Sequence, residues 1–209
     1  MREFQLFTGA STMETAQMNE LALDRATAGR LRRMLARGAV NGGTARRMGP
    51  TGTVAAAQAF LAGVNLETFV VDSEHAFRHQ LDKHTLELQA ALPKVDGHGK
   101  YWGAARKFLN IFLRNCAYNR YICAEYGLDR LLQWMELPLD RDAAKGLKVA
   151  EMEKAPTRKS KLPYWAGVIH LTPAQSDLFQ SFAKQTAPTK NLYRVHLDIL
   201  YWNAEPEIQ

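Results

Sequence analysis

The sequence has few of the residues that would indicate a secreted or membrane protein. It contains only two cysteines, Cys116 and Cys123, in 209 residues. Within a helix, a seven-residue separation puts their Cα atoms roughly 10 Å apart, which is beyond disulfide reach, so we expect both to be reduced. No apolar run approaches the ~20 residues that span a bilayer, and no secretory signal pattern is visible. These absences favour a cytoplasmic protein that is not bound to a membrane.

Several common catalytic and cofactor motifs are also missing. Two cysteines are too few for a four-cysteine iron–sulfur cluster, and there is no Gly-rich phosphate loop, Ser nucleophile elbow or Cys nucleophile setting. Glu74, His75 and His79 have the spacing of half a zinc site. The ordered His-Glu-x-x-His motif and an obvious third ligand are absent, so we expect no metal and no cofactor.

The pattern of apolar residues predicts an all-α fold. β-Branched residues are scarce and clean period-2 alternation is absent, which argues against a substantial sheet. Apolar positions recur instead at three- and four-residue spacing. We predict a single domain over residues 1–209, divided into helical lobes 1–92 and 93–209 with a cleft between them. Helices are predicted at 11–38, 53–62, 66–91, 100–126, 128–135, 140–152, 172–186 and 190–203, with a turn at 93–99.

The charge of the chain favours a polyanionic partner. The net charge is +6 with a sequence pI of about 9.4, and the excess is clustered in the first and last thirds. Clustered cations suit phosphate neutralisation and counterion release, although a solvated basic surface is the alternative. The clusters are Arg25, Arg30, Arg32, Arg33, Arg37, Arg46 and Arg47 in the first group, and Lys154, Arg158, Lys159 and Lys161 in the second.

The most distinctive segment is the run Leu-Pro-Leu-Asp over residues 137–140, which precedes a predicted helix. Proline fixes the entry to the helix, and Asp140 then lies at or beside its N-cap. Capping alone is one interpretation of this aspartate. The segment is also similar to the Pro-(Val/Leu)-Asp segment of helix-hairpin-helix DNA glycosylases, in which the aspartate is essential for catalysis. It departs from their common pattern in having Asp142 and Ala143 where His-Val is frequent.

Two further segments carry the same resemblance. Lys107 lies on the most apolar predicted helix, 33 residues before Asp140, a spacing close to that of the nucleophilic lysine in the archaeal oxidised-guanine branch of the family. Asp198 and Trp202 are four residues apart, as are an aspartate and a tryptophan that bind the extruded base in that branch. Alternatively, Lys107 is an ordinary surface lysine, and Trp202 is an ordinary core tryptophan beside an exposed acid, Asp198. The resemblance covers roughly the last half of the chain, and residues 1–65 match nothing.

The resemblance implies a monomeric enzyme that acts on double-stranded DNA containing a modified base. Asp140 and Lys107 would be catalytic, Asp198 and Trp202 would bind the flipped base, and cations would hold the phosphate backbone. We assign that last role to Arg46, Arg47, Lys100 and Lys145. The excised base would be an oxidised guanine, or a hypermodified base of phage DNA in an antiviral role. If Lys107 attacks C1′, strand cleavage follows; if it only orients water, an abasic site remains.

Three other functions remain open from the sequence alone. A non-catalytic, basic helical module that binds nucleic acid would explain the charge clusters. An antitoxin-like or structural helical protein would make the lysine and aspartate coincidental. Arg114 and Asn115, followed by Asn119, are similar to the signature of HEPN ribonucleases, but the histidine of that signature is missing.

Overall fold

The computed structural model describes residues 24–94, 102–154, 156 and 159–202. These residues contain no β-strand, which confirms the all-α prediction, and no helix among them is long and apolar enough to cross a membrane. They form eight α-helices: α1 Arg25–Ala39, α2 Thr53–Gly63, α3 Glu74–Ala91, α4 Trp102–Tyr118, α5 Arg120–Tyr126, α6 Arg141–Lys154, α7 Pro173–Thr186 and α8 Leu197–Tyr201.

Helices with a local start signal begin close to where the sequence predicts. Thr172 and Gln175 form a reciprocal capping box at the start of α7, and Pro173 follows the cap. Side chains of this kind satisfy backbone N–H groups that have no partner within the helix. The predicted α2, α6 and α7 therefore agree with the structure to within a few residues.

Other predicted helices are interrupted by polar caps. The helix predicted over 100–126 is two helices, because the Asn119 side chain accepts a hydrogen bond from Ile122 N at 3.1 Å and starts α5. Ser73 starts α3 in the same way, so the helix predicted from residue 66 begins at Glu74 after a 3₁₀ turn at Leu66–Phe69. Position 128 also starts a 3₁₀ turn, Leu128–Leu131, where an α-helix was predicted.

The C-terminal prediction of one helix over 190–203 is wrong in length. Asn191 has φ +56°, in the left-handed region, which ends the 3₁₀ turn Ala187–Lys190. A second 3₁₀ turn, Arg194–His196, leads into the short helix α8. The turn predicted at 93–99 and the first half of the helix predicted over 11–38 fall largely outside the described residues.

Helix α4 is the central element of the packing. It contacts α1, α2, α3 and α5, and its Phe108 and Phe112 are fully buried with Phe69 and Phe77. A Cβ at position 103 would collide with the carbonyl oxygen of Val168, so only glycine allows the 3₁₀ turn Val168–His170 this close to α4. A second apolar cluster packs α6, α7 and α8 together through Leu137, Leu147, Phe179, Ala183 and Leu197.

A buried carboxylate, Glu136, lies between α3 and α4. Its side chain is 1% exposed, and Arg106, which is 2% exposed, places Nε 3.1 Å from Glu136 Oε2. Arg78 Nη1 lies 3.1 Å from the other carboxylate oxygen, and Asn110 donates a hydrogen bond to Oε2 at 3.2 Å. A buried charge of this kind is tolerated only when it is paired and hydrogen-bonded.

The two arginines extend this network to other helices. Arg106 donates to Thr85 Oγ1 at 2.8 Å and also pairs with Asp82, both on α3. Arg78 bonds Asp82 and, at 2.6 Å, Asp177 of α7. The network therefore ties α3, α4 and α7 to the segment that carries Glu136.

The residues after Glu136 are held by a second buried contact. The Gln180 side chain of α7 accepts a hydrogen bond from Leu137 N at 3.0 Å and donates to Leu137 O at 2.7 Å. Arg194 donates to the carbonyl oxygens of Trp134 and Met135, at 2.6 and 2.9 Å. The backbone is thus held on both sides of Glu136, in the segment that leads into α6.

We predict that Glu136→Ala lowers the free energy of unfolding by about 3–5 kcal/mol, because it leaves two arginines without their shared buried partner. Denaturant titration followed by circular dichroism measures the change. Glu87→Ala, at an exposed position on α3, is the matched control and should stay within about 0.5 kcal/mol of the parent. Equal stabilities for the two variants would show that the network does not hold the fold.

Candidate functional site

Lys107 and Asp140 meet at the wall of a cavity. Lys107 Nζ lies 3.5 Å from Asp140 Oδ2, and the two side chains are 8% and 24% exposed. Lys107 comes from the middle of α4, directly after Arg106 of the buried network. Asp140 comes from the start of α6, four residues after Glu136. The structure therefore brings together the two residues that the sequence resemblance singled out.

The two oxygens of Asp140 have different partners. Oδ1 accepts hydrogen bonds from the backbone N–H groups of Asp142 and Ala143, each at 3.0 Å, so Asp140 is the N-cap of α6. Oδ2 faces Lys107, and Asp140 as a residue lines the cavity. The capping bonds fix the carboxylate in one orientation, so capping and presentation of a charge to the cavity are compatible in one side chain.

Burial lowers the pKa of the Lys107 ammonium below its ordinary value of 10.5. The nearby negative charge of Asp140 acts in the opposite direction and raises the pKa. A lysine must lose its proton before it acts as a nucleophile, so a depressed pKa increases the fraction that is ready to react. The same carboxylate can accept a proton from the amine at close range.

The cavity beside this pair has a volume of about 1120 Å³. One face of α4 forms a wall, since Lys107, Ile111, Arg114, Asn115 and Tyr118 follow at three- and four-residue spacing. The other walls come from the loop after α1, from the start of α6, from 165–168 and from α8. Five cationic and three acidic side chains line it: Arg46, Arg47, Lys107, Arg114 and Arg141, against Asp140, Asp142 and Asp198.

Arg46 and Arg47 reach the cavity from a structured loop. Asn41 starts this loop by accepting hydrogen bonds from Gly43 N at 2.9 Å and Thr44 N at 3.0 Å. Both arginines are exposed, and Arg47 adopts φ +60°, in the left-handed region. The loop predicted to carry two cations thus presents them at the cavity mouth.

Asp198 and Trp202 also line the cavity, but Asp198 is largely buried and Trp202 is exposed. Asp198 forms an ion pair with Arg114 of α4, and its side chain is only 14% exposed. Trp202 follows α8, and its backbone N–H donates a hydrogen bond to Asp198 O at 2.9 Å. The residue is 66% exposed. A large indole left in solvent beside a cavity is available for stacking.

The remaining predicted contacts to DNA are more remote. Lys145 is exposed one helical turn after Arg141, on α6, and lines a smaller neighbouring pocket with Lys190. Lys100 lies outside the described residues. Among the residues that the structure describes, no three His, Cys, Asp or Glu side chains lie close enough together to hold a metal ion.

Sequence reasoning missed two parts of the cavity wall. Arg114 was considered only as part of a ribonuclease signature, and Tyr118 was not considered. The spacing from Lys107 along α4 could have found both, because positions seven and eleven residues on lie on the same face. Tyr118 Oη lies 2.6 Å from His196 Nδ1, and the two rings are stacked with centroids 5.6 Å apart. This contact links α4 to the 3₁₀ turn before α8.

We predict that the pKa of Lys107 lies below 10.5 in the parent protein and falls further in Asp140→Asn. The substitution removes a negative charge that raises the pKa, while burial continues to lower it. Side-chain NMR of the lysine Nζ resonances against pH measures both values, with Lys107→Gln assigning the signal. Asp129→Asn, on an exposed turn, should leave the titration unchanged. A parent pKa at or above 10.5 would contradict the account.

Neither a family model, nor a curated protein, nor a solved structure matches this chain. The resemblance to helix-hairpin-helix DNA glycosylases stays a prediction from the three sequence segments around Lys107, Asp140 and Asp198. What the site can do chemically follows from its own geometry.

Proposed function

We propose that the protein is a DNA glycosylase that flips a modified base out of double-stranded DNA and excises it. The observation that carries the proposal is the Lys107–Asp140 pair, 3.5 Å apart at the wall of a large cavity with a cationic mouth. In this proposal the fold is glycosylase-like, with a cleft between two helical lobes, and the enzyme works as a monomer without a cofactor.

The cavity has the properties that a flipped nucleotide requires. Extrusion costs roughly a few kcal/mol in lost stacking and pairing, which must be recovered inside the protein. The exposed indole of Trp202 offers a stacking surface, and the volume of about 1120 Å³ exceeds what one base needs. Arg46 and Arg47, at the mouth, would hold the strand backbone without reading its sequence.

Asp140 would stabilise the charge that develops as the glycosidic bond breaks. Positive charge builds up on the sugar in this step, and a fixed carboxylate lowers the barrier without having to reorganise. The two capping bonds to Oδ1 provide the fixed orientation, and they leave Oδ2 beside Lys107 at the cavity wall. The charge is therefore held in position by the same bonds that start α6.

Lys107 would then act on C1′ in one of two ways. If the neutral amine attacks C1′, the bond from C1′ to the base nitrogen breaks and the base leaves, taking up the proton that the amine loses. Opening of the C1′–O4′ bond of the sugar then gives a Schiff base, which permits β-elimination of the 3′ phosphate. If Lys107 only orients water, hydrolysis leaves an abasic site. The lowered pKa of Lys107 favours the first route.

Asp198 would contact the flipped base together with Arg114. Because Asp198 is paired with Arg114, the two side chains together offer a guanidinium donor and a carboxylate acceptor to a base edge. An oxidised guanine would use both kinds of contact. The spare volume of the cavity also suits a hypermodified base of phage DNA, which would assign the enzyme to antiviral defence.

A non-catalytic module that binds nucleic acid is the second candidate. One observation favours it: Asp140 is fully used as a helix cap on one oxygen and as an ion-pair partner on the other. A structural role for this pair would leave the basic surface as the only functional feature. The two candidates differ in whether base release depends on the charge of Asp140.

We predict that Asp140→Asn slows base release at least about 100-fold while leaving DNA binding intact. Asparagine keeps the oxygen that caps α6 but removes the charge that would stabilise the sugar cation. Single-turnover release from duplexes carrying oxidised guanine, and from glucosylated phage DNA, measures the rate. Asp129→Asn is the matched control and should release base at the parental rate. Unchanged release by Asp140→Asn, with lower stability, would reduce Asp140 to a helix cap.

The same substrates decide the role of Lys107. Borohydride reduces a Schiff base to a stable enzyme–DNA adduct, so trapping reports covalent attack by the amine. Lys107→Gln should abolish the adduct. Base release by the parent without any adduct would assign Lys107 to water orientation and make the enzyme monofunctional.

A further inference from the structure

Helix α1 carries a row of exposed arginines that the proposed chemistry does not use. Arg30, Arg33 and Arg37 are exposed, whereas Ala36 and Ala39 of the same helix are fully buried. At about 100° per residue, the three arginines fall within an arc of about 60°. Residues 30 to 37 span about 10 Å of the helix axis, so the row is a line of charge along one face.

The charge on this row has no partner within the described part of the chain. None of the three arginines forms an ion pair there, and α1 contains no acidic residue. Asp24, at the N-cap of α1, already accepts bonds from Ala26 N, Thr27 N and the Thr27 hydroxyl. By contrast, the buried Arg106 and the partly exposed Arg78 are both paired with carboxylates.

The row leads towards the cavity mouth. Gly38, directly after Arg37, lines the cavity, as do Asn41 and the two loop arginines, Arg46 and Arg47. The spacing suits a DNA strand, since one strand of the duplex carries a phosphate about every 3.4 Å along its axis. A row of about 10 Å therefore matches about three successive phosphates.

We propose that Arg30, Arg33 and Arg37 form a track for the DNA backbone that flanks the flipped nucleotide. The inference rests on the proposed function for the identity of the partner, but it concerns a surface that the excision chemistry does not require. The track holds the duplex outside the cavity through charge alone, so it contributes affinity and no sequence preference. Arg46 and Arg47 then connect the track to the cavity.

The test compares two triple variants with equal loss of charge. Arg30→Gln/Arg33→Gln/Arg37→Gln removes the track, and Lys83→Gln/Arg120→Gln/Arg130→Gln removes three exposed cations that lie outside both basic clusters and the cavity wall. Affinity for an unmodified duplex oligonucleotide is measured by fluorescence anisotropy over a range of KCl concentrations. The track variant should reduce the slope of log K against log salt by about 2 to 3, and the control by less than about 0.5. Thermal unfolding followed by circular dichroism should give the track variant and the control variant the same stability.

Each outcome separates the track from the catalytic proposal. Equal slopes for the track variant and the parent, in an enzyme that binds and releases base, would overturn the track alone. Salt-dependent binding through the track without base release from any modified duplex would support the track and reject the glycosylase. A parent protein without salt-dependent binding to DNA would overturn both. Base release at saturating DNA should be the same in the track variant and the parent.

Discussion

The structure depends on one buried carboxylate. Glu136 takes its countercharges from Arg78 of α3 and Arg106 of α4, and its position fixes the segment that leads into α6. Arg106 is adjacent to Lys107, and Glu136 is four residues from Asp140. The candidate pair therefore lies at the edge of a network that ties its two elements together, which is the kind of support that a preorganised site requires.

The site itself is arranged at a cost in stability. Lys107 is buried on an apolar helix, where removal from water disfavours its charged form and lowers its pKa. A lysine that served only as a surface charge would gain nothing from this position. A titratable group that is buried beside a specific charge partner at a cavity wall is a candidate for a functional site.

The sequence predicted those features that leave a local signal. The all-α class follows from three- and four-residue spacing, and the position of Asp140 at a helix start follows from the proline before it. The buried network leaves no such signal, because Arg78, Arg106 and Glu136 are brought together from distant parts of the chain. The interruption of the long helix at Asn119 was missed because a single polar cap outweighed the apolar periodicity on both sides.

If Lys107 and Asp140 form the reacting centre, a nucleotide must enter the cavity and reach both side chains. A crystal structure of Lys107→Gln bound to a duplex with a stable abasic-site analogue would show whether it does. We expect C1′ of the analogue to lie about 3.5 Å from the side chain at position 107, a reactive separation, with the Asp140 carboxylate beside it. A complex in which the duplex binds the basic surface but no nucleotide enters the cavity would contradict it.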